Sequence, residues 1–235
     1  MRTARFFVPP EWLALQSGIF SIPAGFLHKQ IVQVLRMKLG DEITLLQNDG
    51  DAYTCTITTI NRSNISGTIT AKESPLTLPP YTLTLCASIT KRDTFEWMIQ
   101  KCTELGVHAF IPLHTERTIK KTPDIHKRWS DIAKEASEQC GRITLPIIHT
   151  PCTLPHAFAQ TKACARILFH ESAQEYILPS LQPSMPVALF IGPEGGFSEH
   201  ELTLAQKERI HVRKMGSFVL RAETAAIVAC SKFLC

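Results

Sequence analysis

Two short stretches of this chain place glycines beside groups that can bind or react. The first, IGPEGGFSEHEL at residues 191–202, runs from an apolar strand through Gly192, Pro193, Glu194, Gly195 and Gly196 into Ser198 and Glu201. Those last two have the spacing of a capping box, so a helix is expected from about residue 199. The second, KMGSFVLRAETAA at 214–226, ends a strand at Met215 and Gly216 and gathers Arg221, Glu223 and Thr224 at the start of another helix. A glycine loop before a helix commonly holds phosphate on free backbone amides. Phosphate fits poorly here: neither the lysine of G-x-x-x-x-G-K-[ST] nor the spacing of G-x-G-x-x-G is present, and Glu194 would face the anion. Two like unit charges about 4 Å apart repel by roughly 4 kcal/mol at an effective dielectric near 20. A neutral or cationic ligand suits the loop better. Alone, such a loop is most simply a sharp strand-to-helix turn, but two of them in one small domain point to a single pocket between them.

These loops need a scaffold, and the apolar pattern supplies one. YTLTLCASI reads as a strand, and TFEWMIQKCTEL as a helix with Phe95, Met98, Ile99, Cys102 and Leu105 on one face, stopped by Gly106; VHAFIPL follows as a strand. HKRWSDIAKEASEQC makes a second amphipathic helix through Trp129, Ile132, Ala133, Ala136 and Cys140. The strands ARILFH, PVALFIG and HVRKMG come later, and ETAAIVACSKFL closes the chain as a helix. Near-continuous apolar strands alternating with helices predict an α/β domain with a mostly parallel sheet covered on both faces. In such sheets ligands bind beyond the carboxyl ends of the strands, where both glycine loops fall.

The first part of the chain differs. QIVQVLRM, GDEITLLQNDGDAYTCTITTI and SGTITA read as short β-runs, and NDGD is a hairpin signal because Asn48, Asp49 and Gly50 tolerate the positive φ of tight turns. A small β-barrel-like domain over residues 1–73 is expected, with ESPLTLPPY, carrying Pro75, Pro79 and Pro80, as the linker to a second domain over 74–235. The 235 residues suffice for two such cores, and 44% hydrophobic with 20% charged residues is ordinary for a globular chain. Lys and Arg exceed Asp and Glu by 25 − 21 = 4, which permits a nucleic-acid partner without requiring one. The eight cysteines have neither C-x-x-C nor zinc-finger spacing and read mostly as small core residues, so no metal is expected. The start has no signal-peptide core and no apolar run is long enough to cross a bilayer, so a cytoplasmic setting without membrane contact is expected.

The two glycine loops, with KRDTFEWMIQKCTELGV and RWSDIAKEASEQCGR, resemble the RsmE family, bacterial methyltransferases that methylate N3 of one uridine of 16S ribosomal RNA. RFFV at 5–8 and HKQIVQVLRMKLGD from His28 extend the likeness over nearly the whole chain. The family pattern at the second loop, L-G-x-R-I-L-R-x-E-T-A, is matched except that Met215 replaces Leu and Phe218 stands where Arg is usual. The resemblance implies an N-terminal PUA-like RNA-binding β-barrel and a C-terminal SPOUT α/β domain, in which a deep trefoil knot forms the S-adenosyl-L-methionine site and two chains pair. Ile191, Gly192, Pro193, Glu194, Gly195 and Gly196 would then hold the cofactor together with Met215, Gly216, Leu220, Thr224 and Ala225. That methyl donor carries a sulfonium and an amino group and no phosphate, so a carboxylate in the loop is compatible with it.

Arg221 and Glu223 are the catalytic candidates that follow from the resemblance. Arg221 would stabilise charge developing on the uracil carbonyls, and Glu223 would hold the arginine or accept the N3 proton. A structural Arg/Glu pair capping the helix is the competing reading. Arg5, Arg36, Arg92, Lys101, Gln139 and Arg142 fall in the matching segments and are the RNA-binding candidates, on 16S rRNA or the 30S subunit. His28, His114 and His170 at strand ends read as structural. An RNA-binding or assembly protein that keeps the fold without turnover is the alternative, against which a retained glycine pocket with Arg221 and Glu223 argues.

Overall fold

A computed structural model describes residues 3–74, 81–118, 126–176, 179, 181–182 and 185–235. Pro75, Pro79 and Pro80, read from the sequence as the linker, lie outside the described residues. The chain divides into two compact units, Met1–Leu78 with Ser137–Thr144, and Pro79–Ala136 with Leu145–Cys235.

Among the described residues the first unit is a six-stranded sheet of β1 (Ala4–Phe7), β2 (Leu13–Ala14), β3 (Ile19–Pro23), β4 (Glu42–Leu46), β5 (Ala52–Ile60) and β6 (Asn64–Glu73), in the order β1-β4-β5-β6-β3-β2. β1 pairs in parallel with β4 and the other neighbours are antiparallel. Register shifts between β5 and β6 near Thr54 and Ile57 bend the ribbon, and the sheet curls into the PUA-like half-barrel around Phe20, Ile22, Ile43, Leu45 and Ile65. The β4–β5 hairpin turns through Asn48 at φ 61° and Gly50 at φ 93°, as NDGD predicts, and Asp49 accepts hydrogen bonds from the Asp51 amide at 3.0 Å and the Tyr53 hydroxyl at 2.8 Å. QIVQVLRM is not a strand. Its first five residues form a π-helical turn, Gln30–Val34, that continues directly from helix α1 (Phe26–Lys29). Ile31 and the next residue, Val32, both pack into the core with Leu27, while Val34 and Leu35 are exposed; two successive residues turned inward is a pattern that strand alternation does not produce.

The second unit holds β7 (Leu83–Ser88), β8 (Ala109–His114), β9 (Ile147–Ile148), β10 (Cys152–Thr153), β11 (Ala165–Phe169), β12 (Val187–Ile191) and β13 (His211–Arg213). All pair in parallel, in the order β10-β8-β7-β12-β11-β13 with β9 beside β8. The helices are α2 (Arg92–Leu105), α3 (His126–Cys140), α4 (Leu154–Gln160), α5 (Glu199–Lys207) and α6 (Ala222–Leu234). Alternate strand residues feed two cores. Val187, Leu189 and Ile191 join α2, α3 and α6 on one face, whereas Ala188 and Phe190 join α4 and α5 on the other. All five residues of β12 are therefore buried, each large one contributing roughly 1.5–3 kcal/mol, so the strand that launches the first glycine loop is the best anchored. Gly106, at φ 105°, ends α2 in the left-handed cap that lets β8 begin.

Two further features depart from the pattern-based expectation. The strand read as HVRKMG stops at Arg213, so Met215 and Gly216 belong to the loop. The short β9, β10 and α4 leave too little periodicity to be seen in advance. The cysteines are mostly core residues as expected: Cys55, Cys86, Cys102 and Cys230 are buried, Cys152 and Cys164 pack against the core, and Cys235 is exposed. After β13 at the sheet's edge the chain returns to its middle, where α6 packs on β7 and β12 beside α2. The knotted SPOUT arrangement requires such a return.

Candidate active site

The carboxyl ends of β11, β12 and β13 open into one cleft of about 610 Å³, solvent at its mouth included, a size suited to a small organic ligand. Ile191, Gly192, Pro193, Glu194 and Gly196 form one wall; Met215, Gly216, Phe218, Val219 and Leu220 form the facing wall, and Ala222 and Ala225 of α6 belong to the same lining. The two glycine loops do share a pocket. Gly195 and Thr224 are not among the residues that line it.

The first loop is tightly built. The Gly196 amide donates to the Pro193 carbonyl at 2.9 Å, closing a turn, and Gly196 takes φ +68°. A Cβ on Gly196 would lie 3.2 Å from His170 Nε2, and one on Gly192 would lie 3.2 Å from the Gly196 carbonyl carbon and from the Phe197 ring. Phe197 is buried in the core beneath. Helix α5 begins at Glu199, as the capping box predicts: the Glu201 amide donates to Ser198 Oγ at 3.1 Å and the Ser198 amide to Glu201 Oε2 at 2.9 Å. Glu194 stands exposed at the rim.

The second loop is looser. Phe218 is 86% and Val219 77% exposed, and a Cβ on Gly216 would meet nothing within 4 Å. Arg221 forms the N-cap of α6 with extended backbone and no side-chain cap bond, and among the described residues no ion pair joins it to Glu223. The helix-capping reading of that pair therefore has no contact to support it. Leu220 and Ala222, on either side of Arg221, both line the cleft, so the arginine sits at its edge, exposed, with Glu223 half-buried.

Sequence reasoning passed over His170, Glu171 and Lys214, which also line the cleft. The Ser172 amide donates to His170 Nδ1 at 3.2 Å and Ser172 Oγ lies 2.8 Å away, so in the neutral ring Nε2 carries the proton and faces Gly196. His170 had one legible signal, its place at the end of an apolar strand. Lys214 Nζ lies over the Tyr176 ring, 5.7 Å from its centroid.

The candidate RNA-binding residues fall into two groups. Arg5, Arg36, Gln139 and Arg142 belong to the first unit, where the Phe7 amide on β1 donates to Glu138 Oε1 at 2.8 Å. Arg36 is exposed, with φ 55° just past the π-helical turn. Arg142 Nε donates to the Thr144 carbonyl at 3.2 Å, and burial lowers its guanidinium from the ordinary value. Arg92 and Lys101 lie on α2 in the second unit, paired with Glu96 and Glu104, each at 2.8 Å. Pairs of this surface kind are worth about 0–1 kcal/mol and can be exchanged for a phosphate. No group of His, Cys, Asp and Glu able to hold a metal occurs among the described residues, and no described helix is long and apolar enough to cross a membrane.

An all-parallel α/β unit with a glycine-walled cleft beyond its strand ends, together with a curled half-barrel, defines the class. Residues 77–234 match the RNA methyltransferase domain and residues 31–70 the RNA methyltransferase PUA domain. The chain is 31% identical over 231 residues to ribosomal RNA small subunit methyltransferase E of Bacillus subtilis, covering 92% of this chain and 90% of that one. It is 33% identical over 235 residues to the protein of the same name from Synechocystis sp., covering 96% and 75%. The chain belongs to the ribosomal RNA small subunit methyltransferase E family. Among solved structures, a Legionella pneumophila methyltransferase in complex with S-adenosylmethionine aligns with a TM-score of 0.88 at 30% identity over 99% of this chain and 97% of that one. The family's enzyme from Neisseria gonorrhoeae, bound to S-adenosylmethionine, aligns at 0.88 and 27% identity over 98% and 96%.

The cleft fits that cofactor. Gly192 and Gly196 bring bare backbone to the surface where a Cβ would be crowded, Ile191, Leu220 and Ala225 offer apolar walls to a flat base, and Glu171 and Glu194 place carboxylates where a cation can be met.

Proposed function

We propose that this chain methylates N3 of one uridine in the 16S ribosomal RNA of the small subunit, using S-adenosyl-L-methionine held between its two glycine loops. Family membership supports the class of reaction, and the carrying observation for the site is the single cleft that both loops wall. The bound cofactor supplies an electrophilic methyl group on a sulfonium. Ile191, Gly192, Pro193, Glu194 and Gly196 with Met215, Gly216 and Leu220 hold it through backbone groups and apolar contact, Ala225 lining the same cleft.

N3 of uridine carries a proton and is a weak nucleophile, so the protein must favour its loss. Arg221, beside the cleft and without a helix-capping bond, donates to a uracil carbonyl as negative charge grows there. Glu223, one residue beyond Ala222, orients that arginine or takes the proton. His170, with Nε2–H facing Gly196, supplies a donor at the cleft floor.

N3 lies on the Watson–Crick edge, so the base must be unpaired or turned out of its helix while its backbone is held. Arg5, Arg36, Gln139 and Arg142 on the first unit and Arg92 and Lys101 on the second do that holding. The working form is a cytoplasmic homodimer. In α6, Ala226, Ala229 and Cys230 are spent on the chain's own core, so the exposed Phe218 and Val219 are the better candidates for cover by a partner. Labelled methyl transfer to small ribosomal subunits, with mass mapping of the product, tests the reading: one methyl on one uridine is expected, and binding without transfer would favour an assembly protein instead.

A further inference from the structure

The outer side of the first glycine loop is braced by a turn that neither the cleft nor the motif accounts for. Past β8 the chain folds back at Thr115–Thr118: the Thr118 amide donates to the Thr115 carbonyl at 3.1 Å, the Thr115 amide to Thr118 Oγ1 at 2.9 Å, and Ser88 Oγ at the end of β7 to Thr115 Oγ1 at 3.3 Å. One residue of this turn reaches the loop and another the helix that the loop enters. The Glu116 amide donates to Glu201 Oε1 at 3.1 Å, the same buried carboxylate whose other oxygen closes the capping box, and Glu116 Oε1 lies 2.7 Å from His200 Nδ1. Arg117 Nη1 donates to the Gly195 carbonyl at 2.6 Å, and its Cδ would lie 3.4 Å from a Cβ on Gly195.

The Gly195–Gly196 peptide is thereby held at both ends, its oxygen by Arg117 and its N–H by the Pro193 carbonyl. A peptide flanked by two glycines has little intrinsic preference for one orientation. Only outside contacts can fix it. Glu194 and Gly196, the residues on either side of Gly195, both line the cleft, so a rotation of this peptide would displace the cofactor wall.

We propose that Arg117 is a positioning residue: by pinning the Gly195 carbonyl it sets the wall against which the methyl donor binds. It touches neither donor nor acceptor and acts through the loop. The inference rests on the reading that this cleft takes S-adenosyl-L-methionine.

The test compares Arg117→Ala and Arg117→Lys with the wild type on the full chain, its fold checked by circular dichroism. A hydrogen bond from a charged donor corresponds to about a tenfold effect or more. Calorimetry with S-adenosyl-L-methionine should show about tenfold weaker binding for Arg117→Ala, partly restored in Arg117→Lys. In turnover, KM for the donor should rise by the same factor while kcat and KM for small ribosomal subunits change less than about twofold. Donor affinity unchanged in Arg117→Ala overturns the proposal. So does a rise confined to the KM for ribosomal subunits, which would make Arg117 an RNA contact. Absence of donor binding in the wild type would overturn the cleft reading and this inference together; either of the first two results, with wild-type binding intact, overturns the role of Arg117 alone.

Discussion

The two glycine loops wall the same cleft and are opposite in construction. The first, Gly192–Phe197, is packed from beneath by Phe197, closed by its own turn, capped into α5 by Ser198 and Glu201, approached by His170 from β11 and gripped by Arg117 from outside. The second, Lys214–Arg221, ends in exposed Phe218 and Val219 and an arginine without a cap bond, and Gly216 has open space around it. One wall of the cleft is finished before any ligand arrives; the other leaves apolar surface for a ligand, substrate or partner to cover. Preformed structure lowers the ordering cost of binding, whereas the catalytic candidate sits where the substrate can still shape its surroundings.

The largest effect should come from filling the rigid wall. Gly196→Val combines a positive φ with a 3.2 Å approach to His170, and donor affinity by calorimetry should fall by at least about a hundredfold with secondary structure retained. Next is the open wall's arginine. Arg221→Lys should lower kcat by about 10²–10³ with donor affinity little changed, and full turnover on ribosomal subunits would remove Arg221 from the chemistry. Ser198→Ala deletes half of the capping box and should cost about 1 kcal/mol in urea denaturation, with a matching loss of donor affinity if loop and cap are coupled.

A smaller effect is expected from pH. Hydrogen bonding from Ser198 and His200 and the nearby Arg117 charge hold the Glu116 carboxyl below its ordinary value. A depressed folded-state pKa contributes stability that is complete above the ordinary carboxylate range and lost as pH falls through the folded value. Stability of the wild type should thus drop more steeply below about pH 4.5 than that of Glu116→Gln. The smallest effect should be that of Gly216→Ala on stability, near neutral in urea denaturation because its Cβ meets nothing within 4 Å. A large loss there would erase the contrast between the loops.

Much of this was legible beforehand because it is local. Asn48 and Gly50 announce a turn through the backbone region they tolerate, Ser198 and Glu201 announce a helix start, and the spacing of Phe95, Met98, Ile99 and Cys102 announces a buried helix face. QIVQVLRM misled because its apolar residues fit either period, and packing of Leu27 and Ile31 into the curled sheet decided for the helix. His170 was legible as a strand-end residue and nothing more, since its meaning depends on a glycine far along the chain.

The chain by itself determined most of its longer strands and helices, its turns, the α5 cap and its family pattern, for these follow from torsional preference and from periods spanning a few residues. Which loops meet was left to the tertiary structure. Arg117, His170, Gly195 and Gly216 come from four separate connections, and their nearness exists only because a parallel sheet returns every strand in the same direction and so collects its carboxyl-end loops on one side.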